Sequence, residues 1–377
     1  LLKEHPDWFH PAGPITDWND PVQLQEKWLF NLPDFDQSQP AVREYILSYS
    51  KYWIEQTGVD GFRVDTLRHL PPEFVRWYVA ELQKVKPGFW LLGESWESNP
   101  EKLVVYAEAG VPALLNFPVN EAIRFVIGND EPMTKLASTV ERTWRTLPPG
   151  TLTGGFVDNH DMERFVSVTW TDSVRRLKLA LLFLLTARDI PIIYSGTEVA
   201  LEGGKDPDNR RDFPWGKETH PEVAALIRRL NQVRAQHPAL RGGGLETLTV
   251  DATSWAYGRG AYLESVVVVL NNAENQGYDR PVPVAGLGLP DGTLLHDAIT
   301  GREVTVRDGA VLPGLGPRSG AVFVVGPFVA GAPLAPWFSE PASVWPWLSL
   351  LLMTAGTGGA FALWLWWRRR QSRLTTC

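Results

Sequence analysis

The sequence predicts an α/β fold: part of a (β/α)8 TIM barrel, then an antiparallel β-sandwich domain, then a C-terminal transmembrane helix. Three observations predict it. Helix-like and strand-like segments alternate from residue 41 to residue 236, the pattern of a parallel sheet with helices outside. Past Arg241 the segments become short and β-rich, separated by Gly, Asn and Pro turns, as in a sandwich. Residues 344–367 carry no charge, and tryptophans border both ends of that run.

The elements follow in order. Val42, Tyr45, Ile46, Tyr49 and Trp53 are spaced as on one helix face, which places a helix over 41–56. A strand follows at 59–64. A helix over 73–84 leads to a strand at 89–92, and a short strand covers 113–116. A helix over 133–145 precedes a strand at 151–157. The strongly apolar helix 173–186 leads to the β-branched strand 190–194, and a helix over 221–236 closes the series. Strands at 245–250, 254–258, 265–270 and 321–325 build the sandwich.

Pro, Gly and Ala make 327–343 a short stalk. The run 344–367 is long enough to span a bilayer, with Trp345 and Trp347 at one border and Trp364, Trp366 and Trp367 at the other. Arg368, Arg369, Arg370 and Arg373 follow in the basic tail 368–377. The positive-inside rule puts that tail in the cytoplasm and everything before residue 344 on the extracytoplasmic side of the membrane.

With 377 residues and 44% hydrophobic content, the chain can hold one large domain and a smaller one. A net charge of −7 argues against a nucleic-acid partner. The 17 tryptophans exceed what a core needs, and tryptophan is a platform for sugars as well as a membrane-interface anchor. The single cysteine, Cys377, excludes an internal disulfide and a cysteine-based metal cluster. The chain starts at Leu1 without a methionine or a signal peptide, which reads as a sequence lacking its N-terminal part.

The chemistry sits at strand ends. Val64 is followed by Asp65, Leu92 by Gly93 and Glu94, and Val157 by Asp158, Asn159, His160 and Asp161. In a (β/α)8 barrel those ends converge on one mouth, where the active site lies. A lone Asp there is ordinarily a helix cap or a surface ion pair. Three carboxylate-bearing ends beside Arg63 and His160 form a candidate site. Two carboxylates flanking one bond are the equipment of glycoside hydrolysis: one attacks or stabilises the sugar cation, the other protonates the leaving oxygen. A neighbouring cation keeps the first ionised, and a crowded site keeps the second protonated.

At these residues the chain resembles the α-amylase family of glycoside hydrolases, with features close to the cyclodextrin glucanotransferases. The blocks GFRVDTLRH (61–69), GESW (93–96) and FVDNHD (156–161) are similar, in order, to the family's strand-four, strand-five and strand-seven blocks. LPDFD (32–36), PIIYSGTE (191–198) and GGKDPDNR (203–210) resemble the block before strand four, strand eight and its substrate loop. The resemblance covers roughly residues 5–326. It implies that strands four to eight of the barrel are present, with residues 1–40 the end of an inserted loop domain, 41–240 the C-terminal part of the barrel, and 241–326 an all-β domain. The family's strand-three block is absent.

The resemblance also assigns roles. Asp65 would be the nucleophile, Glu94 the general acid/base and Asp161 the third carboxylate. Arg63 would hold Asp65 charged, His160 would bind sugar hydroxyls at the cut, and Asp206 and Arg210 would grip a sugar further along. Calcium is implied, with the Asp34 carboxylate and the His69 backbone carbonyl as ligands, and oxygen donors suit that metal. Arg68 stands where the family usually has lysine, beside His69, on the acceptor side. Phe30, Trp18 and Trp96 match aromatic acceptor positions of the glucanotransferases. The expected function is retaining cleavage of α-1,4-glucosidic bonds in starch-like α-glucans or maltooligosaccharides. The alternatives are a cyclodextrin-forming type of transglycosylase and an inactive, membrane-tethered glucan-binding protein.

Overall fold

The computed structural model describes residues 1–326. Helix α1 (Pro40–Thr57) opens with proline at its first turn and ends at Gly58, whose φ of 68° is the left-handed conformation that stops a helix without strain. The chain then enters β1 (Gly61–Val64), and α2 (Pro72–Val85) and β2 (Trp90–Gly93) follow. Gly61 has no room for a side chain, because the Trp90 carbonyl lies against its Cα. That close approach lets β1 and β2 pair in parallel with Val64 opposite Gly93.

Next come β3 (Ala113–Leu115), α3 (Phe117–Asn129), α4 (Met133–Thr146), β4 (Leu152–Gly155), α5 (Ser173–Thr186), β5 (Ile190–Pro191) and α6 (Pro221–Gln236). Among the described residues β1 to β5 form one parallel sheet in sequence order. The predicted helices at 173–186 and 221–236 stand where expected. Strand β5 is shorter than predicted. Helix α3 was not predicted: its buried residues include Phe117, Val119, Ala122, Ile123, Val126 and Ile127, and only Glu121 and Arg124 mark a charged side, too few to reveal its period.

The second sheet is antiparallel, in the order β11 (Glu303–Thr305), β10 (Leu294–Asp297), β13 (Ser319–Val325), β8 (Val266–Asn271), β7 (Ser254–Arg259), β6 (Leu245–Val250). A two-stranded ribbon, β9 (Val282–Pro283) with β12 (Ala310–Val311), completes the β-sandwich region, its interior filled by residues such as Val267, Val282, Leu295 and Phe323. Strands β9 to β12 were too short and too interrupted by Pro and Gly for the sequence to reveal. Helix α5 meets this region through Phe183, 5.6 Å from the Trp255 ring, and Thr186, hydrogen-bonded to the Tyr257 hydroxyl at 2.6 Å.

One part of the predicted fold is corrected. No helix among the described residues is long and apolar enough to cross a membrane. The predicted transmembrane helix 344–367, the stalk 327–343 and the basic tail 368–377 lie outside the described residues. The predicted fold therefore stands without its transmembrane helix. The membrane anchor, and the extracytoplasmic location that rested on it, have no support.

Candidate active site

Strand β1 delivers Arg63 and, one residue past its end, Asp65; β2 delivers Glu94 in the same way. The parallel register locks them together. The Glu94 amide donates to the Val64 carbonyl at 2.8 Å, and the Leu67 amide donates to the Glu94 carbonyl at 2.8 Å. The Arg63 guanidinium bridges both carboxylates: one Nη lies 3.2 Å from Asp65 Oδ2, and the other donates to Glu94 Oε2.

The two carboxylates differ in surroundings. Asp65 exposes 63% of its side chain and Glu94 only 6%. Glu94 Oε1 is buried without a hydrogen-bond partner. Burial, a hydrogen bond to Asp65 and repulsion from its charge together push the Glu94 carboxyl up to about 7, against the pull of Arg63. Burial also acts upward on Asp65, but the hydrogen bond from Glu94 and the Arg63 guanidinium outweigh it and hold that carboxyl below its ordinary value. One carboxyl is thus shifted towards its protonated form and its neighbour towards its ionised form, the division of labour that two-carboxylate chemistry requires.

The third carboxylate comes from the loop after β4. Asp161 Oδ2 lies 3.1 Å from His160 Nε2, and Oδ1 lies 3.0 Å from Arg210 Nη2. Arg210 also pairs with Asp206 at 2.7 Å, so Asp161, Arg210 and Asp206 form a continuous chain of charge. A second loop holds this one in place. The Asn209 amide donates to the His160 carbonyl at 2.8 Å and to the Met162 carbonyl at 3.1 Å. Arg164 Nε donates to the Asn209 carbonyl at 2.9 Å, with its guanidinium 3.8 Å over the Tyr194 ring. Buried Asp158 accepts from the Phe165 amide at 2.9 Å and the Thr197 hydroxyl at 2.6 Å. Asn209 and Arg164 were not singled out from sequence. Asn209 sits inside the GGKDPDNR segment, but no one-dimensional signal marks an amide that pins a distant loop.

Aromatic side chains flank these groups. Trp18 and Trp96 are each 44% exposed, and Phe30, with φ of 50°, is 79% exposed rather than packed beneath a loop. The Trp18 ring lies 6.4 Å from Phe30 and meets the His69 ring edge-on at 6.2 Å. Trp96 stacks on Phe117 at 4.8 Å. A cleft of about 640 Å³ runs between Trp96, Phe117 and Phe125 on one side and Asp161, Lys205 and Asp206 on another. Arg68 Nη1 donates to the Trp96 carbonyl at 2.8 Å, and Nη2 to the Trp18 carbonyl at 3.1 Å.

Among the described residues no group of three His, Cys, Asp or Glu side chains is arranged to hold a metal ion. Asp34 lies beside Asp36 and 3.8 Å from His10 Nε2, too far for a hydrogen bond. Its Oδ2 is buried and unpartnered. Burial, then repulsion from Asp36, pushes the Asp34 carboxyl up to about 7. An oxygen so placed fits a hard cation donor. The His69 ring hydrogen-bonds the Leu24 carbonyl at 2.9 Å.

Residues 18–237 match the family model described as alpha amylase, catalytic domain. The chain belongs to the alpha-amylase family. A beta/alpha-amylase of Paenibacillus polymyxa is 30% identical over 335 residues, covering 84% of this chain and 26% of that protein. A cyclomaltodextrin glucanotransferase of Niallia circulans is 31% identical over 315 residues, covering 81% of this chain and 42% of that one. The solved structure of an Anoxybacillus alpha-amylase superimposes with a TM-score of 0.80 at 32% identity, over 87% of this chain and 72% of that one. The chain spans between about a quarter and about half the length of the curated relatives it matches. Members of the alpha-amylase family commonly bind calcium.

Proposed function

We propose that the chain is the catalytic part of a retaining glycoside hydrolase that cleaves α-1,4-glucosidic bonds in starch-like α-glucans or maltooligosaccharides. The observation that carries this reading is the pairing of exposed Asp65 and buried Glu94 under one guanidinium, with burial pushing the Glu94 carboxyl up and Arg63 helping to hold that of Asp65 down. Asp65 attacks the anomeric carbon while Glu94 gives its proton to the leaving glucosidic oxygen. Glu94 then takes a proton from water, which releases the sugar from Asp65. One Arg63 guanidinium reaches both carboxyls, which favours retention, where they stand roughly 5–5.5 Å apart, over inversion, which needs space for a water between them.

Asp161 and His160 serve the sugar hydroxyls at the cut, and Arg210 and Asp206 a sugar further along, since all four are joined through Asp161 and Arg210. Asp34 and the His69 carbonyl would contribute two oxygen donors to a calcium ion. That ion would be structural and would take no part in the bond-breaking steps. The domain boundaries read from the sequence, at residues 40 and 240, belong to the same proposal.

The test incubates the full-length protein that carries this chain with amylose and calcium, beside Asp65→Asn. New reducing ends that require Asp65 establish the hydrolase. A folded protein that binds glucan without turnover overturns it. A second reading, transglycosylation, is favoured by the exposure of Phe30, Trp18 and Trp96, since aromatic faces stack an incoming sugar and dry the site. Cyclic or elongated glucans among the products would select it, and linear maltooligosaccharides alone would select hydrolysis.

A further inference from the structure

Arg164 is a charged residue only 1% exposed, at the point where two loops beside the candidate site meet. Its amide donates to the Gly203 carbonyl at 2.9 Å, and its Nε donates to the Asn209 carbonyl at 2.9 Å. One residue thereby grips both ends of the loop 203–209. The Gly203 amide donates in turn to Ser167 Oγ at 2.9 Å. The Arg164 guanidinium lies 3.8 Å over the ring of Tyr194, which the segment after β5 supplies. The charges of Asp158 and Glu198 favour the cation. Nη1 is buried without a hydrogen-bond partner. An unpartnered buried donor lowers stability, so stability alone does not account for an arginine here.

These bonds fasten the loop that carries Asp206 and Arg210 to the loop that carries His160 and Asp161. Asn209 crosses between them through the His160 and Met162 carbonyls. Arg210 makes the same crossing: Nε donates to the His160 carbonyl at 3.0 Å, and Nη2 to Asp161 Oδ1 at 3.0 Å. Asp161, Asp206 and Arg210 all keep part of their side chains in solvent, so packing alone does not fix them. Arg164 is the buried cation to which the two loops are tied.

We propose that Arg164 is a positioning residue whose planar guanidinium joins the two loops into one body, so that a sugar gripped at Asp206 and Arg210 speeds cleavage at Asp65 as well as tightening binding. The inference rests on the retaining reading above and on the sugar-binding roles given there to Asp206 and Arg210. Contacts remote from the cut raise turnover only where they are expressed at the reacting bond. Two loops that order together supply the route, because fixing the 203–210 loop also orders Asp161. Lysine cannot do the same work. Its ammonium is a single point, whereas a guanidinium lays its plane on a ring while Nε meets a carbonyl.

Two measurements test it in the full-length protein. The first is kcat and KM on aryl maltooligosides of graded length with one leaving group. Asp206→Ala identifies the length that first reaches Asp206. In the wild type that added sugar should raise kcat roughly tenfold and lower KM; in Arg164→Gln it should lower KM but change kcat by no more than about twofold. Arg164→Lys should behave like Arg164→Gln, and so should Tyr194→Leu, which removes the ring under the guanidinium and keeps Arg164. The Tyr194 variant carries the test if Arg164→Gln does not fold. A merely destabilised enzyme would lose kcat equally at every length. A gain in kcat that survives in Arg164→Gln, returns in full in Arg164→Lys, or is missing from an active wild type overturns the proposal. The second measurement needs no turnover. Hydrogen exchange of Asp65→Asn with maltohexaose should show residues 156–167 and 203–211 protected together. Adding Tyr194→Leu should confine the protection to 203–211. Joint protection that survives Tyr194→Leu, or its absence from Asp65→Asn alone, overturns the brace. If the wild type and Asp65→Asn are equally inert on every donor, the hydrolase reading fails instead, and the exchange pattern still decides the brace.

Discussion

Two clusters of arginine and carboxylate in this molecule are built in opposite ways. At the strand ends, Arg63 is half-buried and serves two carboxylates, one exposed and one buried with an unpartnered oxygen. At the end of α3, Asp130 is half-exposed and receives two fully buried arginines. Arg176 holds it at 2.9 and 2.6 Å, and Arg318 at 2.9 and 3.3 Å. Arg318 Nε also lies 3.2 Å from Asp172, an ion-pair distance without hydrogen-bond alignment. The second cluster joins α3, α5 and the start of β13, and every carboxylate in it keeps access to water. Burying the cations and leaving the anions wet makes a fastening. Burying one anion and sharing one cation makes a reactive pair, because the protein leaves a proton to be moved.

The largest expected effect breaks the reactive cluster alone. Asp65→Asn should lower turnover of an activated maltosyl donor by about 10⁴-fold or more while leaving the melting temperature nearly unchanged. Steady-state rates and a thermal melt on the same sample check both halves. A comparable loss of stability would mean that the two clusters do not differ as described.

Asp130→Ala should do the reverse. It leaves two buried guanidinium groups without their shared partner and should destabilise the protein by about 3 kcal/mol, the low end for a broken buried pair because Asp130 itself is half-exposed. Catalytic constants of the folded fraction should stay within about twofold. The Asp130 carboxyl is held below its ordinary value: burial acts upward, but hydrogen bonds from Arg176 and Arg318 outweigh it. Its contribution to stability is therefore present above the ordinary carboxylate range and is lost as pH falls through the folded value. Acid melts of wild type and Asp130→Ala should converge at low pH.

The pH profile sharpens the contrast from the other side. Glu94 must hold its proton to act as the acid, and it holds it below about 7. Asp65 must be ionised, and it is so above a value below 3.8. kcat/KM on an unactivated maltooligosaccharide should thus fall as pH rises past about 7, with its acid limb displaced to low pH. A donor whose leaving group needs no proton should lose much of the alkaline limb.

The smallest effect concerns the loop that carries Asp161. Asn209→Ala removes the bonds to the His160 and Met162 carbonyls and should lower kcat roughly tenfold, with KM for longer substrates less affected. Rates on substrates of graded length would check it.

Much of this was legible in one dimension. The alternation of helix and strand, and the carboxylates after Val64, Gly93 and Val157, follow from periodicity and from the rule that parallel strands end at a common mouth. Helix α3 was not legible, because buried residues dominate it and only Glu121 and Arg124 mark a charged side. The predicted transmembrane helix rested on the length, apolarity and aromatic borders of 344–367, which lie outside the described residues, and no helix among the described residues is long and apolar enough to cross a membrane. Arg68 was legible as a cation, but its two carbonyl partners were not, since they lie 50 and 28 residues away.

The sequence by itself determined which side chains stand at the strand ends, because strand direction and side-chain alternation are local properties. Tertiary structure alone decided what each one became. Asp65 and Glu94 are both carboxylates one step beyond a strand, and only the depth at which each lies, relative to Arg63, sets them apart as the proposed nucleophile and the proposed acid. Burial and charge proximity are sums over neighbours distant in the chain, so they exist only once the fold has formed.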